Sequence, residues 1–331
     1  MAVRVYLKQA WNLMKQNPLF STLYIVGTGI SIVMTMVIAI VYYVRLAPVY
    51  PETNRMRTLV VKSAKMTNDE STHSANISYA MLKDWFYSLE SAEVSTGVSG
   101  TSYARVTNDK EEIPTYARYT DENFFRVFPL VFLEGKPFTE ADRRSGIHNV
   151  VLTDSYAQQL FGTTKGVVGK NFLMDYTNVK VVGVVKSGSF LTPDSYAQVY
   201  LPYSCRDGYD DEGSHWALGG YRVYILMKES KSVTDVQDEV LELVRKFNVS
   251  DMGDGWKLDL VGQPELYWHS TFRLWSNVAV DWGRVIWMFV GIFMALLFVP
   301  AFNLSGMISA RMERQLPDLG TVSYTHLTLP T

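Results

Sequence analysis

A single cysteine, Cys205, stands in the 331 residues, so no internal disulfide framework holds this chain together and its stability comes from packing. No Cys/His spacing surrounds Cys205, which reads as a lone thiol in a polar loop rather than a nucleophile. The five histidines, His73, His148, His215, His269 and His326, are scattered, and none forms H-E-x-x-H or a pair at i, i+4 that would grip a metal. Ser99-Gly100 and Ser187-Gly188 lack the G-x-S-x-G elbow that exposes a hydrolase serine. Gly162 to Lys170 (GTTKGVVGK) looks superficially like a phosphate loop, but Thr164 stands where a glycine is needed and Asn171 follows the lysine in place of Ser or Thr. Asp210, Asp211 and Glu212 lie together in a loop without the spacing of an EF-hand. A net charge of −2 with no basic stripe removes the electrostatic case for nucleic acid. Also missing are low-complexity runs, linkers rich in Pro, Gly and Ser, and repeats of solenoid length. No cofactor motif is present, and nothing positive marks an enzyme.

Two long apolar runs are present, one near each end. Gln16 to Val44 and Val285 to Ala310 contain no charged side chain, and about 20 apolar residues of helix suffice to cross a bilayer core. Both read as membrane spans, so the residues between them share one side of the membrane. The first run is too long for a secretory signal and ends in Tyr42-Tyr43-Val44-Arg45, an aromatic and basic rim suited to an uncleaved anchor. Ahead of it, Leu7, Ala10, Trp11 and Met14 share one helical face while Lys8, Asn12 and Lys15 point elsewhere, as in an interfacial helix. The positive charge of that segment predicts a cytoplasmic N-terminus, against which Arg45, Arg55 and Arg57 weigh from the far side. Gly27 with Ser31 and Gly291 with Ala295 form small-xxx-small pairs that let helices approach closely in lipid. Pro300 removes a backbone hydrogen bond inside the second run and predicts a kink. Tyr267, Trp268, Trp275, Trp282 and Trp287 cluster before and into that run, either as a headgroup-level belt or as core and ligand surface near the membrane.

The middle reads as mixed α and β. Strands are predicted at Arg57 to Lys62, Ile113 to Tyr119, Asn149 to Leu152, Gln198 to Leu201, Tyr221 to Lys228 and Trp256 to Val261. Asn171 to Tyr176 and Val179 to Lys186 read as a hairpin turning at Thr177-Asn178. A polar loop leads from the first strand to Ser78, which caps a helix burying Leu82, Trp85, Phe86 and Leu89. Asp121 to Phe128 reads as a short helix, and Asp154 caps one that stops at Gly162. Ser232 to Phe247 is amphipathic, with Val233, Val236, Val240, Leu243, Val244 and Phe247 on one face. Strands and helices interspersed with hairpins predict an α+β domain.

Four segments in order carry a resemblance. YLKQAWNLMKQNPLFSTLYIVGTGISI at the start, then ISYAMLKDW (77–85), TDENFFRVFPLVFLEGKPF (120–138), and NVVLTDSYAQQLFGTTKGVVG (149–169) followed by VKVVGVVKS, resemble the MacB/FtsX-type permeases of ABC transporters through Gly320. The resemblance implies an α+β extracytoplasmic domain in two lobes, one porter-like and the other inserted into it, held between two transmembrane helices. It divides the chain into an interfacial helix (1–17), a first span (18–44), the extracytoplasmic core domain (45–283), a second span (284–310), the start of a cytoplasmic coupling loop (311–320) and a tail (321–331). Within SARMERQLPDLG (309–320), Arg314 matches the family's arginine and Asp318-Leu319-Gly320 its Glu-Ile-Gly, so that Arg311, Glu313, Arg314, Asp318 and Gly320 are the expected contact with an ATPase. Read from the residues alone, Arg311 and Arg314 are rather a rim that holds the helix end at the headgroups. TVSYTHLTLPT (321–331) breaks the pattern and reads as a non-native tail on a C-terminally truncated permease.

The function implied is the inner-membrane permease subunit of an ABC-type efflux or mechanotransmission complex. It would span the bilayer more than once, with its large domain in the periplasm. Its implied partners are a separate ATPase subunit, a second permease in a homodimer or heterodimer, and a periplasmic adaptor. The alternatives are an FtsX-like regulator of periplasmic or cell-wall enzymes, which transports nothing, and a lipoprotein-release permease. A membrane-anchored hydrolase lacks its motifs.

Overall fold

The computed structural model describes residues 4–5, 11–12, 14–15, 18–108, 111–206, 208–209, 216–250, 255–296, 298 and 301. Residues 43–280 form one compact unit and the segments on either side another. The flanking unit contains all but the last turn of α1 (Pro18–Leu46), of which Ser21–Leu46 is long and apolar enough to cross a membrane, and the apolar helix Trp282–Leu296. Inside α1 the hydroxyls of Ser31 and Thr35 donate to the carbonyls of Gly27 (2.9 Å) and Ser31 (2.7 Å), which satisfies them without water. The interfacial helix expected over 1–17 and the later part of the second span fall mostly outside the described residues. Asp210, Asp211, Glu212, His215, His326, Pro300 and the whole of 302–331 lie outside them altogether.

The 43–280 unit begins with β1 (Thr58–Val61), β2 (Ala64–Thr67), β3 (Thr72–Ile77), α2 (Tyr79–Asp84) and β4 (Ala92–Ser99). The chain then runs through β5 (Ser102–Asn108), β6 (Glu111–Thr120), α3 (Phe124–Val127), β7 (Phe132–Gly135), α4 (Glu140–Arg144) and β8 (Asn149–Thr153). Next come α5 (Asp154–Phe161), β9 (Asn171–Met174), β10 (Thr177–Val185) and β11 (Val199–Pro202). It returns through β12 (Leu218–Gly219), β13 (Tyr221–Met227), α6 (Val233–Val249), β14 (Lys257–Asp259) and β15 (Glu265–Leu266).

Among the described residues these strands make two sheets. The first runs β14-β2-β3-β13-β1-β15, with β12 beside β3 and β4 beside β13; the second runs β7-β10-β8-β11-β6-β5-β9. All strands of the second sheet lie between β4 and β12, so one lobe is inserted into the other, as the resemblance implied. β9 also pairs with β10, Thr177 opposite Met174, and this closes six strands of the inserted lobe into a ring with β7 outside it. Closure removes the free edges that an open sheet exposes. The ring is filled by residues such as Val106, Leu152, Met174, Val181 and Leu201, with Tyr156 and Leu160 of α5 packed among them.

The first lobe's core lies between its sheet and α6. Val236, Val240, Val244 and Phe247 are buried and Val233 and Leu243 half-buried, against Leu59, Val61, Val223 and Ile225. A capping box fixes the start of α6: the Ser232 hydroxyl accepts from Asp235 N (3.2 Å) and the Asp235 carboxylate accepts from Ser232 N (2.6 Å). Ser232→Ala should therefore cost about 1 kcal/mol, seen as a lower urea midpoint with an unchanged slope.

Several local expectations need correction. The stretch read as a polar loop before Ser78 is the β2–β3 hairpin, turned by the Asn68 side chain, which accepts from the amides of Glu70 and Ser71. β3 is largely exposed on its first half, so no apolar alternation announces it. The β9–β10 turn falls at Asp175-Tyr176, both at positive φ, and not at Thr177-Asn178. That is the backbone a two-residue hairpin turn requires, and the Asp175 carboxylate holds it by accepting from Arg105 N at 2.8 Å. Thr153, not Asp154, caps α5; the Asp154 carboxylate accepts instead from the Ser187 and Ser155 amides. Asp121 to Phe128 is helical only at Phe124–Val127.

Cys205 ends a short 3-10 turn and is half-buried, its thiol pushed up to about 12 by burial. Tyr267 is buried in the domain core, so it is no part of a membrane belt, whereas Trp275 and Trp287 are exposed. Arg55 is buried against Glu52 and is not a free charge at the membrane surface.

Candidate functional site: the buried seam between the two lobes

The inserted lobe meets the first lobe across an aromatic core. Val60, Val94, Tyr224 and Leu226 of the first sheet face Val151, Val185 and Tyr200 of the second. α3 is the wedge between them: Phe128 meets Tyr224 edge-on at 5.1 Å and Phe124 meets Tyr200 at 5.4 Å. This is packing as dense in rings as a domain centre, and each such pair adds to plain burial.

Four polar groups pin the seam. Asp121, fully buried at the end of β6, accepts from five donors: Thr96 Oγ1 (2.7 Å), Gly97 N (2.9 Å), Tyr87 Oη (2.5 Å), Asn123 N (3.0 Å) and Phe124 N (3.1 Å). Thr96 and Gly97 belong to the first sheet, Asn123 and Phe124 to the start of α3. One carboxylate thus joins both lobes and caps the wedge. Burial pushes it up to about 6, with the hydrogen bonds from Tyr87, Thr96 and Gly97 pulling the other way. A Cβ on Gly97 would sit 2.2 Å from Leu82 Cδ2, so any larger residue there would have to displace the buried Leu82 side chain.

Asp194, in the loop between β10 and β11, reaches from the inserted lobe to Lys62 (3.3 Å) and Arg222 (3.0 Å) of the first. Burial alone would raise its carboxyl, but Lys62, Arg222 and Arg118 hold it well below the usual carboxylate range. Arg118 itself is almost wholly buried and donates to Ser99 O (3.2 Å), Thr101 Oγ1 (2.9 Å), Pro193 O (2.7 Å) and Tyr196 O (3.0 Å). It ties the point where the chain crosses into the inserted lobe to the loop that carries Asp194. On the outer side of the seam, Arg143 grips Glu122 through two bonds (2.8 and 3.1 Å) and donates to Tyr203 Oη at 2.9 Å.

No set of three or more His, Cys, Asp or Glu side chains that could hold a metal occurs among the described residues. The hydroxyls of the seam donate to buried carboxylates, Thr96 and Tyr87 to Asp121, and so fasten it from within. What the arrangement does is hold the two lobes in one register.

The MacB-like periplasmic core domain family matches the chain over residues 20–243, from within α1 through most of α6. The chain belongs to that family. Among curated proteins, the chain is similar to the macrolide export ATP-binding/permease protein MacB of Shigella dysenteriae serotype 1. That match is 28% identical over 105 residues and covers 31% of this chain and 16% of the relative. The pyoverdine export ATP-binding/permease protein PvdT of Pseudomonas fluorescens is 32% identical over 92 residues, 27% of this chain and 14% of its own. The chain thus spans under a fifth of the length of these relatives. Among solved structures, the periplasmic region of MacB from Actinobacillus actinomycetemcomitans is 16% identical with a TM-score of 0.43, over 60% of this chain and 88% of that one. The extracellular domain of the noncanonic ABC-type transporter YknZ from Gram-positive bacteria is 16% identical with a TM-score of 0.41, over 60% and 99%. A MacB-like periplasmic domain preceded by an apolar helix is the arrangement of an inner-membrane protein with a periplasmic domain.

None of the seam residues was singled out from the sequence as a site, although Asp121 and Phe124 lie inside a segment that carried the resemblance. Of the residues that were, Gly27 and Ser31 are one turn apart on α1 and joined by the Ser31 hydroxyl. Gly291 and Ala295 are exposed on Trp282–Leu296. Pro300, Arg311, Glu313, Arg314, Asp318 and Gly320 lie outside the described residues.

Proposed function

We propose that this chain is the permease subunit of an ABC-type export or mechanotransmission complex, crossing the inner membrane more than once and working as a dimer with a separate ATPase subunit. The family match over the apolar helix and the domain carries this reading. The export proteins to which the chain is similar have ATP-binding in their names, while the phosphate-loop lookalike at 162–170 lacks the residues that would cradle a nucleotide. ATP binding would close the ATPase pair, Arg311, Glu313, Arg314, Asp318 and Gly320 would receive that motion, and Gly27/Ser31 and Gly291/Ala295 would pack the spans that carry it, bent at Pro300. The permease performs no chemistry; its periplasmic seam responds.

The test is reconstitution with a separate ABC-type ATPase subunit. Hydrolysis stimulated by exported substrate, and lost on charge reversal of Glu313 and Asp318, supports the reading. Capture of a periplasmic hydrolase with no such stimulation supports a regulator instead.

Topology has its own test. Tyr176, at the tip of the β9–β10 hairpin, is 84% exposed. In a Cys205→Ser background, Tyr176→Cys should react with a membrane-impermeant maleimide in intact spheroplasts, whereas native Cys205 should react slowly because its thiolate is scarce. Labelling of Tyr176→Cys only after lysis would put the domain in the cytoplasm.

A further inference from the structure

The segment that leaves α1 does not dock simply on the sheet it leads into. Tyr50 donates from its hydroxyl to Lys186 O (2.7 Å) and accepts from Val131 N (3.2 Å), both in the inserted lobe. Two turns on, Arg55 donates to Val44 O in the last turn of α1 (2.9 Å) and pairs with Glu52. Residues 43–46 belong to the same compact unit as the domain. A cation at a helix C-terminus both satisfies an orphan carbonyl and complements the dipole.

Glu52 has its side chain wholly buried, and its second oxygen accepts from Ser195 Oγ (2.7 Å) and Tyr267 Oη (2.9 Å). Ser195 neighbours Asp194 in the seam loop. A line of charge-assisted bonds therefore runs from the end of the apolar helix to the loop that clasps the two lobes, through residues that approach one another only in the fold. Such bonds are the strong ones, and inside a protein they are not screened away.

We propose that Glu52 and Arg55 form a buried strut that carries displacement of the terminal turn of α1 into the seam, so that the inserted lobe moves with the helix. Arg55 is the grip on the helix, Glu52 the transfer point, and Ser195 the receiver. The proposal rests on the permease reading only for what drives the helix.

Hydrogen exchange on the full chain in lipid nanodiscs tests the strut by perturbing one end and reading the other. Ser195→Ala touches nothing on α1, yet it should speed exchange in peptides covering 43–50 about tenfold, the weight of one hydrogen bond to a charged group. Ser195→Thr, which keeps the hydroxyl, should restore protection. Arg55→Gln should act in reverse, speeding exchange over 190–197 while β5–β6 and α6 stay as protected as in the unaltered chain. Effects confined to the mutated end would overturn the strut, and if Arg55→Gln fails to fold, Ser195→Ala alone decides. A second arm adds the ATPase subunit and reads the distance between spin labels at Tyr176→Cys and Glu229→Cys, one on each lobe. A nucleotide-dependent change that disappears in Ser195→Ala supports the strut as a transmission element. A change that persists unaltered in that variant overturns it. No change in the unmutated pair counts against the permease reading, while the exchange result still decides whether the two ends are joined.

Discussion

Asp121→Ala should lower the stability of the periplasmic domain by about 3–5 kcal/mol near pH 4–5, because five buried donors lose their shared acceptor and each unsatisfied group costs about 1–3 kcal/mol, less than additively. The dependence on pH has a definite sign. The Asp121 carboxyl is raised from 3.8 to about 6 in the folded chain, so the folded state holds its proton more tightly than the unfolded state does. Its contribution is fully present below about pH 4 and is lost as pH rises through about 6, by roughly 3 kcal/mol in all. The difference between the unaltered chain and the variant should therefore narrow between pH 4 and pH 8. Urea unfolding of the full chain in detergent, followed by tryptophan fluorescence at several pH values, measures this directly. A difference that widens with pH would mean that the five donors, and not burial, govern the group.

Asp194→Ala should cost about 3 kcal/mol at neutral pH by leaving Lys62 and Arg222 beside Arg118 without their counter-charge. The figure sits at the low end for a broken ion pair because the Lys62 and Arg222 side chains keep 16% and 36% of their exposure. Here the sign reverses. The Asp194 carboxyl is held below its ordinary value, so its contribution is present above about pH 4 and is lost as pH falls below that. The variant should lose part of the acid sensitivity of the parent chain, while Asp194→Glu, which keeps the charge but overfills the site, should retain it. Equal acid unfolding of parent and Asp194→Ala would remove Asp194 from the account of the seam.

The two carboxylates also show what a sequence can and cannot display. The apolar run of α1 and the amphipathic face of α6 were legible because each is written in neighbouring residues and obeys a local rule. β4 was not, since its sequence AEVSTGVS buries Ser95, Thr96 and Ser99 alongside its valines and so shows no alternation of apolar and polar residues. A strand covered on both faces by protein needs none. The hairpin turn at Asp175-Tyr176 was misplaced by two residues because the partner that fixes it, Arg105, lies on another strand. The seam was illegible for the same reason on a larger scale. Asp121 meets Thr96 across 25 residues and Glu52 meets Ser195 across 143, and nothing in the spacing of either pair foretells the meeting. Tyr267 looked like a member of an aromatic belt until Glu52 gave its hydroxyl a buried acceptor.

The closed ring of the inserted lobe bears on how such proteins diversify. A ring whose β9–β10 pairing completes its own ladder takes no strand pairing from the host sheet among the described residues, and the chain enters it after Ser99 and leaves it at Pro202. The lobe can therefore be exchanged as a cassette. A graft between relatives would need to conserve the Arg118, Asp121, Asp194 and Ser195 fastenings, the apolar seam and the rings of α3, leaving the outward strands free to drift toward new periplasmic surroundings.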